Sequence, residues 1–139
     1  MKLSNSDRDA LLRKFGTKCA YCGVCLIGKK WHADHIQPVN RVLKFARDKR
    51  NRTVMVATGE LYNPERDCAE NLFPACVACN IDKSVLSLEE WRKRLGELPD
   101  NLRRNSSAFR HAERFGMVTV QVQPVVFWFE VFESQKVVA

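Results

Sequence analysis

No stretch of the chain approaches the roughly 18 consecutive apolar residues of a membrane-crossing helix, which excludes an integral helical membrane protein. The opening residues, MKLSNSDRDALL, turn polar at once and lack the apolar core of a signal peptide. The expected location is therefore intracellular, in the cytoplasm. In that reducing compartment the six cysteines are expected to be metal ligands or free thiols rather than disulfides. No internal repeat and no low-complexity segment is present. Acidic side chains are also in short supply, 16 against 23 lysines and arginines, giving a net charge of +7 and a pI near 9.3. That surplus favours a polyanionic partner. What remains is ordinary for one soluble globular domain: 139 residues, 45% hydrophobic and 28% charged.

The cysteines fall into a frame. CAYC occupies residues 19–22 and CVAC residues 76–79, with Cys25 and Cys68 left over. A C-x-x-C pair forms a tight turn with both sulfurs inward, and two pairs supply the four thiolates of a structural zinc site. A redox motif needs only one pair. Cys19, Cys22, Cys76 and Cys79 are thus the expected zinc ligands, with Cys25 a competitor for the place of Cys22. The ion would clamp the ends of a long excursion, residues 23–75, so its loss should unfold the module.

Within the frame stands Asp34-His35. Phosphodiester hydrolysis needs a deprotonated water in line with the leaving oxygen, and a cation to neutralise charge developing on the phosphate. A neutral imidazole can take the proton, and a carboxylate can hold Mg²⁺ while leaving positions for water and phosphate. Neighbours on a strand point to opposite faces, so Asp34 and His35 are expected at a strand end or bulge. His32, two residues before Asp34 on the same strand face, is a further candidate ligand.

Local patterns predict the following elements. Ser6 and Asp9 suggest an N-cap for a helix ending at Gly16. Residues 24–27 and 31–36 read as two strands joined through Gly28, and residues 41–49 as a helix followed by an irregular basic stretch. Val77–Lys83 reads as a short helix, and Ser87 with Glu90 as the capping box of a longer one. Pro99 marks a break, and Ser106 caps a helix stopped by Gly116. The tail, with alternating Val118, Val120 and Val122 and then VVFWFEVF, reads as a β hairpin.

The motifs DHIQP at residues 34–38 and NLFPACVACNIDK at residues 71–83 resemble the HNH nuclease family, over residues 18–84. The resemblance implies an α+β fold with a ββα-metal (His-Me finger) core, a structural four-cysteine zinc site and flanking helices. Residues 40–70 would be an insertion in the core and residues 85–139 an extension of the same domain. It implies a metal-dependent DNA endonuclease with His35 as general base. Asp34 and Asn80 would hold a catalytic Mg²⁺ or Mn²⁺, Asn71 would orient His35 by a hydrogen bond to its ring, and Lys83 would contact the scissile phosphate or its neighbour. The basic groups Arg41, Lys44, Arg47, Lys49, Arg50 and Arg52 would follow the DNA backbone. No separate recognition element is legible, so nicking with little sequence preference is expected. The tail resembles that of small phage-encoded members, which implies a phage or host protein as a further partner. Its strand edge offers a homodimer contact. The competing reading is a catalytically silent zinc-stabilised module that binds DNA or a host protein.

Overall fold

The computed structural model describes residues 2–137, a mixed α+β arrangement of two small antiparallel sheets, six α-helices and two short 3-10 turns. Helix α1 (Asn5–Arg13) is followed by the first cysteine turn, strand β1 (Trp31–His35), and the pair β2 (Arg41–Arg47) and β3 (Thr53–Leu61). Then come β4 (Leu72–Cys76), α2 (Val77–Lys83), α3 (Leu88–Gly96), α4 (Leu98–Asn105), α5 (Ser107–Arg114) and α6 (Trp128–Val137). Strand β1 pairs with β4 in unbroken register from Trp31 opposite Cys76 to His35 opposite Leu72. Among the described residues no helix is long and apolar enough to cross a membrane.

Capping chemistry sets most helix starts. Ser4, not Ser6, begins α1: its hydroxyl accepts from the Asp7 amide at 3.1 Å, and Asp7 accepts the Ser4 amide in return. Ser4/Asp7 and Ser6/Asp9 share the box spacing, and the earlier start adds half a turn. Ser87 with Glu90 caps α3, and Ser106 caps α5, as their spacing predicts. Pro99 does not break the chain. It lies in the first turn of α4, where its missing amide proton costs nothing.

Three expectations are corrected. Residues 24–27 form no strand; they close a turn through a single bridge between Lys18 and Cys25, so β1 takes β4 as its partner. Residues 41–49 are strand and turn rather than helix. Asp48 accepts from the amides of Arg50 and Arg52, and Asn51 adopts φ +57°, so residues 48–51 make a tight reversal. Alternating Val54 and Val56 then pair with Ala46 and Lys44. The C-terminal β hairpin is absent among the described residues: residues 118–126 are irregular and α6 is helical, so the strand edge expected to pair two chains does not exist there.

A continuous apolar run does not reveal its period, and here tertiary contacts decide it. The Phe127 amide donates to Glu130 at 2.8 Å, and the amides of Trp128 and Phe129 donate to the carbonyls of Tyr21 and Ala20. These bonds satisfy the first turn of α6 on the cysteine turn itself. Glu130 also pairs with Arg92 at 2.6 Å, whose guanidinium covers the Phe127 ring. Phe127 stacks on Trp91 at 5.2 Å, and Tyr21 meets Trp91 edge-on at 5.0 Å. Phe15 and Phe73 complete this buried aromatic core. Gly23 must stay small: it adopts φ +74°, and an added Cβ would stand 3.2 Å from the Trp128 ring.

Phe127→Ala should therefore destabilise the whole fold by about 3–5 kcal/mol, because the cavity opens beneath both α3 and α6. Denaturant unfolding followed by tryptophan fluorescence measures this, and a loss near zero would show that α6 is only loosely docked.

Candidate metal centre and adjoining cleft

The first cysteine turn is closed by the Gly23 amide on the Cys19 carbonyl and the Cys19 amide on the Val24 carbonyl. The second pair sits where β4 becomes α2, and the Cys76 sulfur caps that helix by accepting from the Cys79 amide at 3.4 Å. The Ala20 amide donates to the Pro74 carbonyl, tying one turn to the other. As a result the sulfurs of Cys19, Cys22, Cys76 and Cys79 all lie within 4.8 Å of one another. Cys22 and Cys76 stand 3.8 Å apart, the sulfur spacing of a tetrahedron with metal–sulfur bonds of about 2.3 Å. Cys25 and Cys68 stay outside the group.

The thiols perturb one another strongly. Hydrogen bonding from Cys79 lowers Cys19 to about 4, and the same shared proton drives Cys79 upward. Partial desolvation, with the Cys19 charge behind it, pushes Cys22 up to about 11. One thiolate is tolerated and further ones are resisted, the behaviour that a bound dication reverses. The cluster can hold a metal ion, and its donor set is consistent with structural zinc.

Beside the cluster, β1 sorts its side chains by alternation. His32 and Asp34 face α2, where Asn80 and Lys83 are one turn apart. The Asn80 amide nitrogen lies 2.8 Å from His32 Nδ1, so it donates and leaves its oxygen unengaged by His32. Lys83 Nζ sits 3.1 Å from Asp34 Oδ2 and donates to the His35 carbonyl at 2.7 Å. Tyr21, from inside the first cysteine turn, donates to the same Oδ2 at 2.5 Å. Burial, followed by the Asp34 charge, holds the Tyr21 hydroxyl far above its usual range, so it remains a donor. Both contacts engage Oδ2, leaving Oδ1 as the remaining oxygen of Asp34.

His35 ends β1 but keeps regular register, so it points away from α2. Its Nε2 lies 2.9 Å from Asp67 Oδ1; an ionised carboxylate only accepts, so a proton sits on Nε2, and in the neutral ring Nδ1 carries the lone pair. Asp34 and His35 nevertheless line one cleft of about 530 Å³, whose far wall includes Arg41 and Leu43 of β2.

Two sequence-based roles change. Asn71 does not reach the His35 ring. Its amide holds the Gln37 carbonyl and the Arg66 carbonyl at 2.8 Å, and its oxygen accepts the Gln37 amide at 2.9 Å. It therefore clamps the loop after β1 to the segment before β4, and Asp67 is the ring's partner. Lys83 is 0% exposed and lies behind Asp34 rather than at the surface, so its ammonium is not placed to touch a phosphate. Sequence reasoning misses Tyr21 and Asp67. Tyr21 reads as a spacer within CAYC, and Asp67 lies in the turn-rich NPERD of the insertion with no marking motif.

Two measurements probe this arrangement. Elemental analysis should find one zinc per chain, and chelation should abolish the near-ultraviolet circular dichroism; a folded protein without metal would contradict the frame. Lys83→Met should cost about 3–5 kcal/mol by stranding the buried Asp34 charge. Adding Asp34→Asn should recover most of that loss, and simple additivity in the cycle would contradict the coupling.

No family model, curated protein or solved structure matches the chain. What the site can do therefore follows from its own side chains.

Proposed function

We propose that the chain is a metal-dependent DNA endonuclease of the HNH type, with β1, β4 and α2 as its ββα-metal core and zinc in the cysteine cluster. The observation that carries this reading is the cleft shared by Asp34 and His35, with His35 Nε2 committed to Asp67. Nδ1 of His35 then accepts the proton of an attacking water, and Asp67 stabilises the imidazolium that forms. Asp34 Oδ1 and the Asn80 amide oxygen would hold Mg²⁺ or Mn²⁺, hard cations that prefer such donors. That cation, when bound, neutralises charge developing on the scissile phosphate. Lys83 and Tyr21 position Asp34 by fixing its other oxygen, and Asn71 holds the loop that follows His35. With one such cluster per chain, one phosphodiester is cut per encounter, so the expected product is nicked DNA.

A second reading draws on one specific observation. Asp34 is only 7% exposed, and its pairing with fully buried Lys83 is also what a purely structural core needs. On that reading the chain is a catalytically silent zinc-stabilised DNA-binding or protein-interaction module.

Supercoiled plasmid incubated with Mg²⁺ or Mn²⁺ separates the two. The wild-type chain should convert it to the nicked form, and His35→Ala should lower the rate by roughly 10²–10⁴ without loss of zinc or fold. Asn80→Ala should recover part of its defect at higher Mn²⁺. Near-normal cleavage by His35→Ala removes the proposed mechanism, and an inert wild-type chain leaves the silent module.

A further inference from the structure

The antiparallel pair β2 and β3 packs chiefly on itself and stands where a helix was expected. We infer that this ribbon docks in the major groove of duplex DNA and leads a strand into the cleft. The second half of that statement rests on the nuclease reading; the first does not. Residues 41–61 carry six cations, Arg41, Lys44, Arg47, Lys49, Arg50 and Arg52, against two carboxylates, Asp48 and Glu60. Asp48 is spent internally, on Arg52 at 2.7 Å and on the amides of the turn. Among the described residues, the side chains of Arg41, Lys44, Lys49 and Arg50 make no ion pair or hydrogen bond with the rest of the chain. Unpaired cations along an exposed ribbon can contact the phosphates of a polyanion and release its counterions.

The ribbon also carries apolar groups that phosphate binding does not require. Alternation puts Leu43 and Phe45 on one face, and the register sets Met55 opposite Phe45 and Ala57 opposite Leu43. Phe45 is 75% exposed, Met55 57% and Leu43 47%. Apolar side chains between cations suit base edges and thymine methyls. Two strands about 4.8 Å apart, with side chains, fit a groove about 12 Å wide. The A-form RNA groove is too narrow and deep for such an element. At its base the ribbon contributes Arg41 and Leu43 to the wall of the cleft holding Asp34 and His35, so a duplex on the ribbon brings its backbone to that cleft.

The test uses the full zinc-loaded chain with His35→Ala, so that binding is read without cleavage. Probes are a short labelled DNA duplex, the matching RNA duplex, and vesicles rich in anionic phospholipid. The DNA duplex should bind best, and methylation of guanine N7, which faces the major groove, should weaken binding. Lys44→Glu, Lys49→Glu and Arg50→Glu together should weaken it about 30-fold at 0.1 M salt or below, and flatten the log–log salt dependence by roughly 2.7 for three lost phosphate contacts. Circular dichroism and zinc content should not change; if the charge reversals disturb folding, the three glutamine substitutions serve in their place. Unaltered binding by the variant, indifference to N7 methylation, or tighter binding to RNA or vesicles each overturns the inference. Cleavage by the wild-type chain is scored apart. Loss of binding in the ribbon variant beside an inert wild type sustains the ribbon and removes the nuclease reading.

Discussion

Four thiols within 4.8 Å of one another cannot all ionise unless a dication joins them, and most of the molecule is built on that junction. The first cysteine turn contributes two sulfurs and little else to secondary structure. Its spacer residues nevertheless do three jobs. The Ala20 amide holds Pro74 of β4, the Ala20 and Tyr21 carbonyls hold the first turn of α6, and the Tyr21 hydroxyl holds Asp34. A metal ion held by the sulfurs would thus fix the frame, the C-terminal helix and a carboxylate of the cleft together. A dication there would add to the β1–β4 pairing in closing the excursion over residues 23–75, a closure that chain entropy opposes.

The buried pair of Asp34 and Lys83 is the counterpart of that junction between β1 and α2. Taking a lysine fully out of water is costly, and among the described residues its ammonium is met by the Asp34 carboxylate and the His35 carbonyl. Such a pair adds little net stability over an apolar replacement of the same volume. What it adds is position: Asp34 Oδ2 is fixed from two directions, and the backbone at His35 is fixed by the same ammonium. The two faces of β1 then carry different chemistry, a carboxylate with an amide toward α2 and an imidazole with Asp67 on the other side.

Legibility in the sequence followed the range of the interactions. The cysteine spacing, the helix after the second pair, the Ser87 and Ser106 caps and the strand through Asp34 are local patterns, and each was readable. Asp67 reaches His35 across 32 positions, and no local feature marks that contact. Lys83 was legible as a motif residue but not as a buried one, since burial depends on Asp34 arriving from another strand. The two largest departures share a cause. Residues 41–49 and the VVFWFEVF tail both carry apolar groups compatible with either period, and what they met decided the outcome: a turn built by Asp48 and Asn51 in one case, and the carbonyls of the cysteine turn in the other. The correction matters for function, because the strand pair replaces a surface helix with a projecting basic ribbon at the edge of the cleft.

The direct test is anomalous diffraction from crystals soaked in Mn²⁺, with data at the zinc and manganese edges. Zinc should appear among Cys19, Cys22, Cys76 and Cys79, and manganese against Asp34 and Asn80. Zinc in the cysteine cluster with no manganese at Asp34 would contradict a catalytic cleft and leave the frame as a structural one.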